Sequence, residues 1–185
     1  MTDPDPLAAD AYDYDLPAEL IAQEPLADRA AARLLVVSRS TGAVAHRSIR
    51  DLPMLLEPGD LLVVNDTKVV PARLVGRRER TGGRWEGLFL HQDDAGAWIL
   101  LAQTRGRPET GERIVLVGRD GRDDTALELL GRAAGGAWRT RPLAAAAGER
   151  PEVVLARIGR VPLPGYIRGG VEQEGDLDRY QTVFA

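Results

Sequence analysis

The sequence predicts a mixed fold, with a small antiparallel β-barrel in the middle of the chain and segments of mixed helix and strand on either side. Two observations predict the barrel. Gly- and Asp-rich turns separate five strand-length runs, at 85–90, 97–102, 113–117, 126–130 and 137–141. Short strands at near-regular spacing are typical of such barrels. The three tryptophans, Trp85, Trp98 and Trp138, also lie in this region, and we expect them in the barrel core rather than stacked on bases.

The segments flanking the barrel carry both helix and strand signals. Before the barrel we expect a helical turn over 17–22, a hairpin of runs 34–38 and 44–47, a short helix over 49–56 and a buried strand over 61–65. After it, residues 151–158 predict a helix, because Val154, Leu155 and Ile158 share one face. Asp178 is placed to cap a last helical turn.

Composition excludes several classes of site. The chain has 185 residues, 44% of them hydrophobic and 28% charged, as in ordinary soluble domains. It has no cysteine, which excludes disulfides, thiolate zinc sites and a cysteine nucleophile. The two histidines, His46 and His91, are widely separated, so we expect no metal and structural or solvent-facing roles. No apolar run is long enough to span a membrane, and the acidic N-terminus lacks signal-peptide features. A cytoplasmic protein is the expectation.

The polar quartet Asn65-Asp66-Thr67-Lys68 is the most suggestive short motif. Apolar runs flank it, and Pro71 and Ala72 follow before Arg73. Lys68 is the only lysine of the chain. Asn, Asp and Thr also cap turns with their own side chains, so an ordinary turn is the competing interpretation.

Basic charge is concentrated just after this quartet, although the net charge is −4. Arg73, Arg77, Arg78, Arg80 and Arg84 lie within twelve residues. Such a strip can bind phosphates even on an acidic protein. A solvated strand-and-turn surface explains it equally well.

Five sequence blocks resemble one family in order and spacing. They are Tyr14 to Leu26, Arg29 to Val36, Val63 to Val75, Val161 to Ile167 and Asp178 to Ala185. Together they resemble the S-adenosylmethionine:tRNA ribosyltransferase-isomerase family of queuosine biosynthesis, from about Tyr12 to Ala185. Family members are roughly twice as long and continue into a Pro-Thr-Ala-Gly-Leu-His-Phe motif. Gly165 and Phe184 depart from the family pattern, which has proline and tyrosine there.

The resemblance implies an α/β plus all-β fold, with the antiparallel β-barrel inserted into an α/β domain that is incomplete here. The expected division is a disordered leader over 1–11, the first part of the α/β domain over 12–72, the barrel over 73–150, and a truncated return segment over 151–185. Much of the α/β sheet should then lack a neighbour and expose apolar surface.

The resemblance also implies a reaction. The family transfers the ribosyl part of S-adenosylmethionine to 7-aminomethyl-7-deazaguanine in tRNA with a GUN anticodon. Rearrangement gives epoxyqueuosine-tRNA, and adenine and methionine leave. S-adenosylmethionine is a substrate, and no metal or membrane takes part. A missing C-terminal half, or a separate chain that supplies it, is a further expected partner, and activity of this chain alone is doubtful.

Residue roles follow from this chemistry and the motifs. Asp66 is the candidate base or sulfonium-facing carboxylate. The expected substrate-binding residues are Arg33, Asn65, Thr67, Lys68, Arg73, Tyr180 and Gln181, and the expected tRNA-binding residues are Arg77, Arg78, Arg80 and Arg84. Arg33 has a salt bridge as its alternative role, and Tyr180 and Gln181 have packing of the return segment. The alternative function is a non-enzymatic RNA-binding barrel; a generic interaction barrel would ignore the block matches.

Overall fold

A computed structural model of the chain describes residues 8–143 and 146–184. The chain divides into two compact units. One comprises residues 1–61 together with 165–169, and the other comprises 62–164 together with 170–185. Residues 1–7 of the expected leader lie outside the described part.

The first unit is built around a two-stranded antiparallel sheet of β1 (Arg33–Val37) and β2 (Val44–Ser48). This confirms the predicted hairpin. A short helix, α1 (Leu52–Leu55), follows a 3₁₀ turn at Ile49–Asp51, as predicted. Ser48 and Asp51 form a reciprocal capping box that fixes the start of this turn. Further 3₁₀ turns lie at Ala9–Tyr12, Ala18–Leu20 and Arg29–Ala31.

Residues 165–169 join this unit through Gln23. The side-chain amide of Gln23 donates to the carbonyl of Tyr166 at 3.0 Å and accepts from the backbone N–H of Arg168 at 2.7 Å. A single glutamine thus holds the turn that follows Pro164 against a loop more than 140 positions earlier.

The second unit is dominated by a closed six-stranded antiparallel barrel, which confirms the predicted barrel. Its strands are β3 (Arg73–Arg78), β4 (Arg84–Gln92), β5 (Trp98–Thr104), β6 (Arg113–Val117), β7 (Asp123–Arg132) and β8 (Trp138–Leu143). They are ordered β3-β4-β5-β8-β7-β6, and pairing of β3 with β6 closes the barrel. Closure removes the exposed sheet edges that would otherwise template aggregation.

The tryptophans fill the barrel interior, as predicted. Trp85 and Trp98 are fully buried and Trp138 is nearly so. Phe89 meets Trp98 edge-on, with ring centroids 5.1 Å apart. The core continues into α2 (Pro151–Ile158), whose Val154, Leu155 and Ile158 are buried on one face as the spacing predicted.

Gly76 makes the closing seam of the barrel possible. It pairs with Leu116 of β6, and a Cβ at this position would lie 2.3 Å from the carbonyl oxygen of Val115. Because that oxygen belongs to the backbone of the partner strand, no side-chain rotation can relieve the clash.

We therefore expect Gly76→Ala to destabilise the barrel by roughly 1–3 kcal/mol, the usual cost of overpacking. Denaturant unfolding followed by tryptophan fluorescence measures the change. Gly83→Ala is the matched control in the same unit, since the nearest atom to its added methyl group is a side-chain oxygen, Oγ1 of Thr81 at 3.3 Å. Equal stability of the two variants would show that the seam accommodates a side chain.

Two predicted local features are wrong. Residues 61–65 form no strand, and Leu61 and Val63 are 88% and 82% exposed. An apolar run becomes a strand only with a hydrogen-bonding neighbour, and none of the described strands pairs with it. Asp178 does not cap the last helix, because α3 runs from Asp176 to Arg179 and Gly175 precedes it. The carboxylate of Asp176 instead accepts from the backbone N–H of Gln173 at 2.8 Å.

Candidate functional site

The polar quartet lies beside the end of the described chain. The side chain of Gln181 accepts from the backbone N–H of Val69 at 2.8 Å and donates to its carbonyl at 2.9 Å. One amide thus satisfies both backbone groups of a residue 112 positions away, as a neighbouring strand would. This contact brings Gln181 to the residue that directly follows the polar quartet 65–68.

A second contact reinforces this docking. The hydroxyl of Thr182 donates to the carbonyl of Asn65 at 2.6 Å. The side-chain oxygen of Asn65 accepts from the backbone N–H of Thr67 at 3.0 Å, which is an Asx turn. Asn65 therefore has the turn-forming role that the sequence offered as its ordinary interpretation. Sequence reasoning did not single out Thr182, although it directly follows Tyr180-Gln181.

The turn presents Asp66 and Lys68 to solvent. Both are exposed, and neither side chain makes a hydrogen bond or an ion pair with any residue that the structure describes. Exposed apolar side chains lie on the same segment, at Val63, Val64 and Val70, and on the segment that follows Thr182, at Val183 and Phe184. Tyr180 is 39% exposed. The site is an open surface with two opposite charges and an apolar margin.

Arg73 lies just after the quartet and is already engaged. Its guanidinium forms an ion pair with Glu86 at 2.6 Å and also donates to the carbonyl of Gly170. Burial raises the pKa of the Glu86 carboxyl, but hydrogen bonding and charge from Arg73, with help from Arg84, more than offset this and hold it below its ordinary value. These contacts favour a structural role for Arg73, which ties β3 to β4 and to the segment after Gly169.

The arginines predicted to bind tRNA lie in different environments. Arg77 is half-exposed and forms a two-pronged ion pair with Asp123 across the barrel surface. Arg78, by contrast, is only 6% exposed. Its guanidinium binds both carboxylate oxygens of Glu112, at 2.7 and 2.8 Å. In this arrangement Arg78 cannot reach a phosphate, because its donors face inward and are used.

Arg80 and Arg84 remain on the surface. Arg80 is exposed and has no ion pair within the described residues, while Arg84 pairs with Glu86 and keeps 73% of its side chain exposed. Arg33 lies in the other unit, on the half-exposed strand β1, and its own side chain is exposed. His46 and His91 are both solvent-facing, as predicted.

The described residues contain no group of three or more histidine, aspartate or glutamate side chains placed to hold a metal ion. None of the helices they form is long and apolar enough to cross a bilayer.

Known proteins resemble this chain along nearly its full length. The sequence model of a family described as "Queuosine biosynthesis protein" matches residues 9–185. The S-adenosylmethionine:tRNA ribosyltransferase-isomerase of Symbiobacterium thermophilum is 45% identical over 175 residues, which is 94% of this chain and 48% of the relative. Its namesake from Caldanaerobacter subterraneus subsp. tengcongensis is 40% identical over 172 residues, 93% of this chain and 48% of the relative. The chain thus spans about half the length of the curated relatives it matches.

A solved structure was also matched. The S-adenosylmethionine tRNA ribosyltransferase of Thermotoga maritima is 38% identical, with a TM-score of 0.30, over 70% of this chain and 43% of the other.

Proposed function

Because this chain belongs to the queuosine biosynthesis protein family, we propose that it supplies part of the site that transfers and isomerises the ribosyl group of S-adenosylmethionine onto 7-aminomethyl-7-deazaguanine in tRNA. The product is epoxyqueuosine-tRNA. The observation that supports this most is the docking of Gln181 and Thr182 onto the segment of Asn65 and Val69, since it joins two family blocks at one surface.

The reaction requires removal of an acidic proton beside the sulfonium, attack by an exocyclic amine, and stabilisation of charge as adenine leaves. We assign the first role to Asp66, whose carboxylate is unpaired among the described residues and can approach a cation or accept a proton. We assign Lys68 to the substrate carboxylate and Tyr180 to the nucleobase. Asn65, Thr67, Arg73 and Gln181 hold the surface in shape through the contacts described above.

We expect this chain alone to release little or no adenine from S-adenosylmethionine. Its proposed acid–base group is solvent-exposed, whereas such chemistry proceeds in sites that exclude water. The measurement is adenine release with precursor tRNA carrying 7-aminomethyl-7-deazaguanine, run in parallel on this chain and on a full-length relative.

A rate near that of the full-length relative would show that this surface needs no further enclosure. Absence of release by the full-length relative, under conditions where tRNA binds, would overturn the proposed reaction itself.

The alternative is a non-enzymatic RNA-binding barrel. The observation that favours it is the set of exposed arginines at one end of the barrel, which includes Arg80 and Arg84. Tight tRNA binding by a full-length protein with no adenine release would select this alternative.

A further inference from the structure

One end of the barrel gathers exposed arginines from two connections that are distant in sequence. The turn between β3 and β4 contributes Arg80, and Arg84 follows it. The loop between β5 and β6 contributes Arg105 and Arg107, both exposed. These connections are neighbours because Trp85 pairs with Thr104 and Arg78 pairs with Ile114. The arginine strip predicted from the sequence contained Arg80 and Arg84, but not Arg105 or Arg107.

The buried Arg78 shapes the second connection. Beyond its pair with Glu112, its guanidinium donates to the carbonyl of Arg105 at 3.1 Å and to that of Arg107 at 3.2 Å. Gly106 completes the turn with a φ of +78°, and a Cβ there would lie 3.0 Å from Nη1 of Arg78. The backbone of 105–107 is thus wrapped around one buried guanidinium, while both flanking arginine side chains remain in solvent.

An open cleft of about 600 Å³ lies between Arg84 and Arg105, with Thr104 in its wall. The hydroxyl of Thr104 donates to the carbonyl of Arg84 at 2.9 Å, so the two sides are linked. Glu86 also lines the cleft, but its carboxylate already binds Arg73 and Arg84. Glu79 and Glu109, which form no ion pair with any residue that the structure describes, line a separate cleft together with Arg80. The first cleft is therefore the more basic of the two.

We propose that Arg84, Arg105 and Arg107 bind backbone phosphates of the RNA substrate, and that Arg78 is the positioning residue that presents two of them. The inference rests on the proposed function for the identity of the RNA. Five residue steps along β3 separate Arg78 from Arg73 near the polar quartet, about 17 Å at 3.4 Å per residue. The phosphates contacted would thus be those flanking the modified nucleotide in the folded RNA, rather than those of the nucleotide itself.

The test is binding of a tRNA transcript across a salt series to the whole chain and to Arg105→Ala/Arg107→Ala. Each lost phosphate contact should reduce the slope of log K against log salt by roughly 0.7–0.9, so the double variant should lose about 1.4–1.8. Arg39→Ala/Arg47→Ala is the matched control, because it removes the same charge from exposed positions of the other compact unit. An equal loss in the control, or an unchanged slope in the variant, would overturn the proposal.

The role of Arg78 needs a variant that keeps the fold. Arg78→Met/Glu112→Leu replaces the buried pair by apolar side chains of similar size, which buried ion pairs often tolerate. It also removes the donors to the carbonyls of Arg105 and Arg107. We expect reduced tRNA affinity in a folded protein that still has both arginines. Wild-type affinity would assign Arg78 to stability alone.

Failure here can be told apart from failure of the proposed function. A full-length protein with Arg105→Ala/Arg107→Ala that binds tRNA normally and releases adenine would overturn the phosphate-binding role of these arginines. The proposed reaction would be unaffected by that result.

Discussion

Asp66→Asn, made in a protein that contains this chain and the remainder of a full-length family member, is expected to lower turnover by roughly a hundredfold or more. The substitution removes the carboxylate charge and its ability to accept a proton, while keeping shape and size. The fold should be unaffected, because the Asp66 side chain is exposed and makes no hydrogen bond to any described residue. Single-turnover adenine release, with thermal unfolding of the same sample, measures both effects.

A control variant separates the loss of a surface charge from the loss of the proposed base. Asp94→Asn removes another exposed carboxylate, from the turn between β4 and β5, and should leave turnover unchanged. If Asp66→Asn instead melts early and turns over normally, the residue belongs to the turn that Asn65 forms with Thr67, and the proton must be taken by another group.

The second large effect concerns the buried pair of Arg78 and Glu112. Arg78→Met alone leaves Glu112, whose side chain is 5% exposed, without its partner. Breaking a buried pair by removing one member is strongly destabilising, and we expect the unfolding midpoint to fall by on the order of 10 °C. The double variant Arg78→Met/Glu112→Leu should recover most of this loss, because no buried charge is left unpaired. A single variant as stable as the double would show that water reaches Glu112.

The same pair predicts an acid-sensitive contribution. Hydrogen bonding from Arg78 is the main cause that holds the pKa of Glu112 below its ordinary value. A carboxyl with a lowered pKa in the folded state stabilises the fold above its unfolded-state pKa and loses this contribution as the pH falls. The advantage of wild type over Arg78→Met should therefore be full at pH 7 and shrink below about pH 4.5, near the ordinary glutamate pKa.

The sequence predicted the barrel strands that read as apolar runs. It missed the one strand in which a charged residue occupies an inward position. Five strands were visible as apolar runs between Gly- and Asp-rich turns. β3 was not, because its inward positions are Leu74, Gly76 and Arg78. An arginine at an interior position looks like surface until its partner Glu112, 34 residues away, is known. The sequence therefore predicted a surface role for a residue whose guanidinium is buried in the barrel.

The candidate site was predictable in residue type but not in geometry. Asn65, Asp66 and Lys68 were notable as a polar quartet within apolar sequence, yet nothing in that pattern indicates that Gln181 binds Val69. Long-range contacts of this kind depend on how the chain returns after α2. The strand expected over 61–65 fails for the same reason, since pairing is a property of two segments and only one was visible.

The placement of the tryptophans determines how this protein reports its own unfolding. All three lie in the barrel, whereas the unit of residues 1–61 and 165–169 contains tyrosine but no tryptophan. Intrinsic emission excited at long ultraviolet wavelengths is therefore blind to that unit. A fluorescence melt will describe the barrel alone, and a circular-dichroism melt will describe both units. Any gap between the two curves measures how independently the units unfold, and each variant discussed above leaves these three chromophores in place.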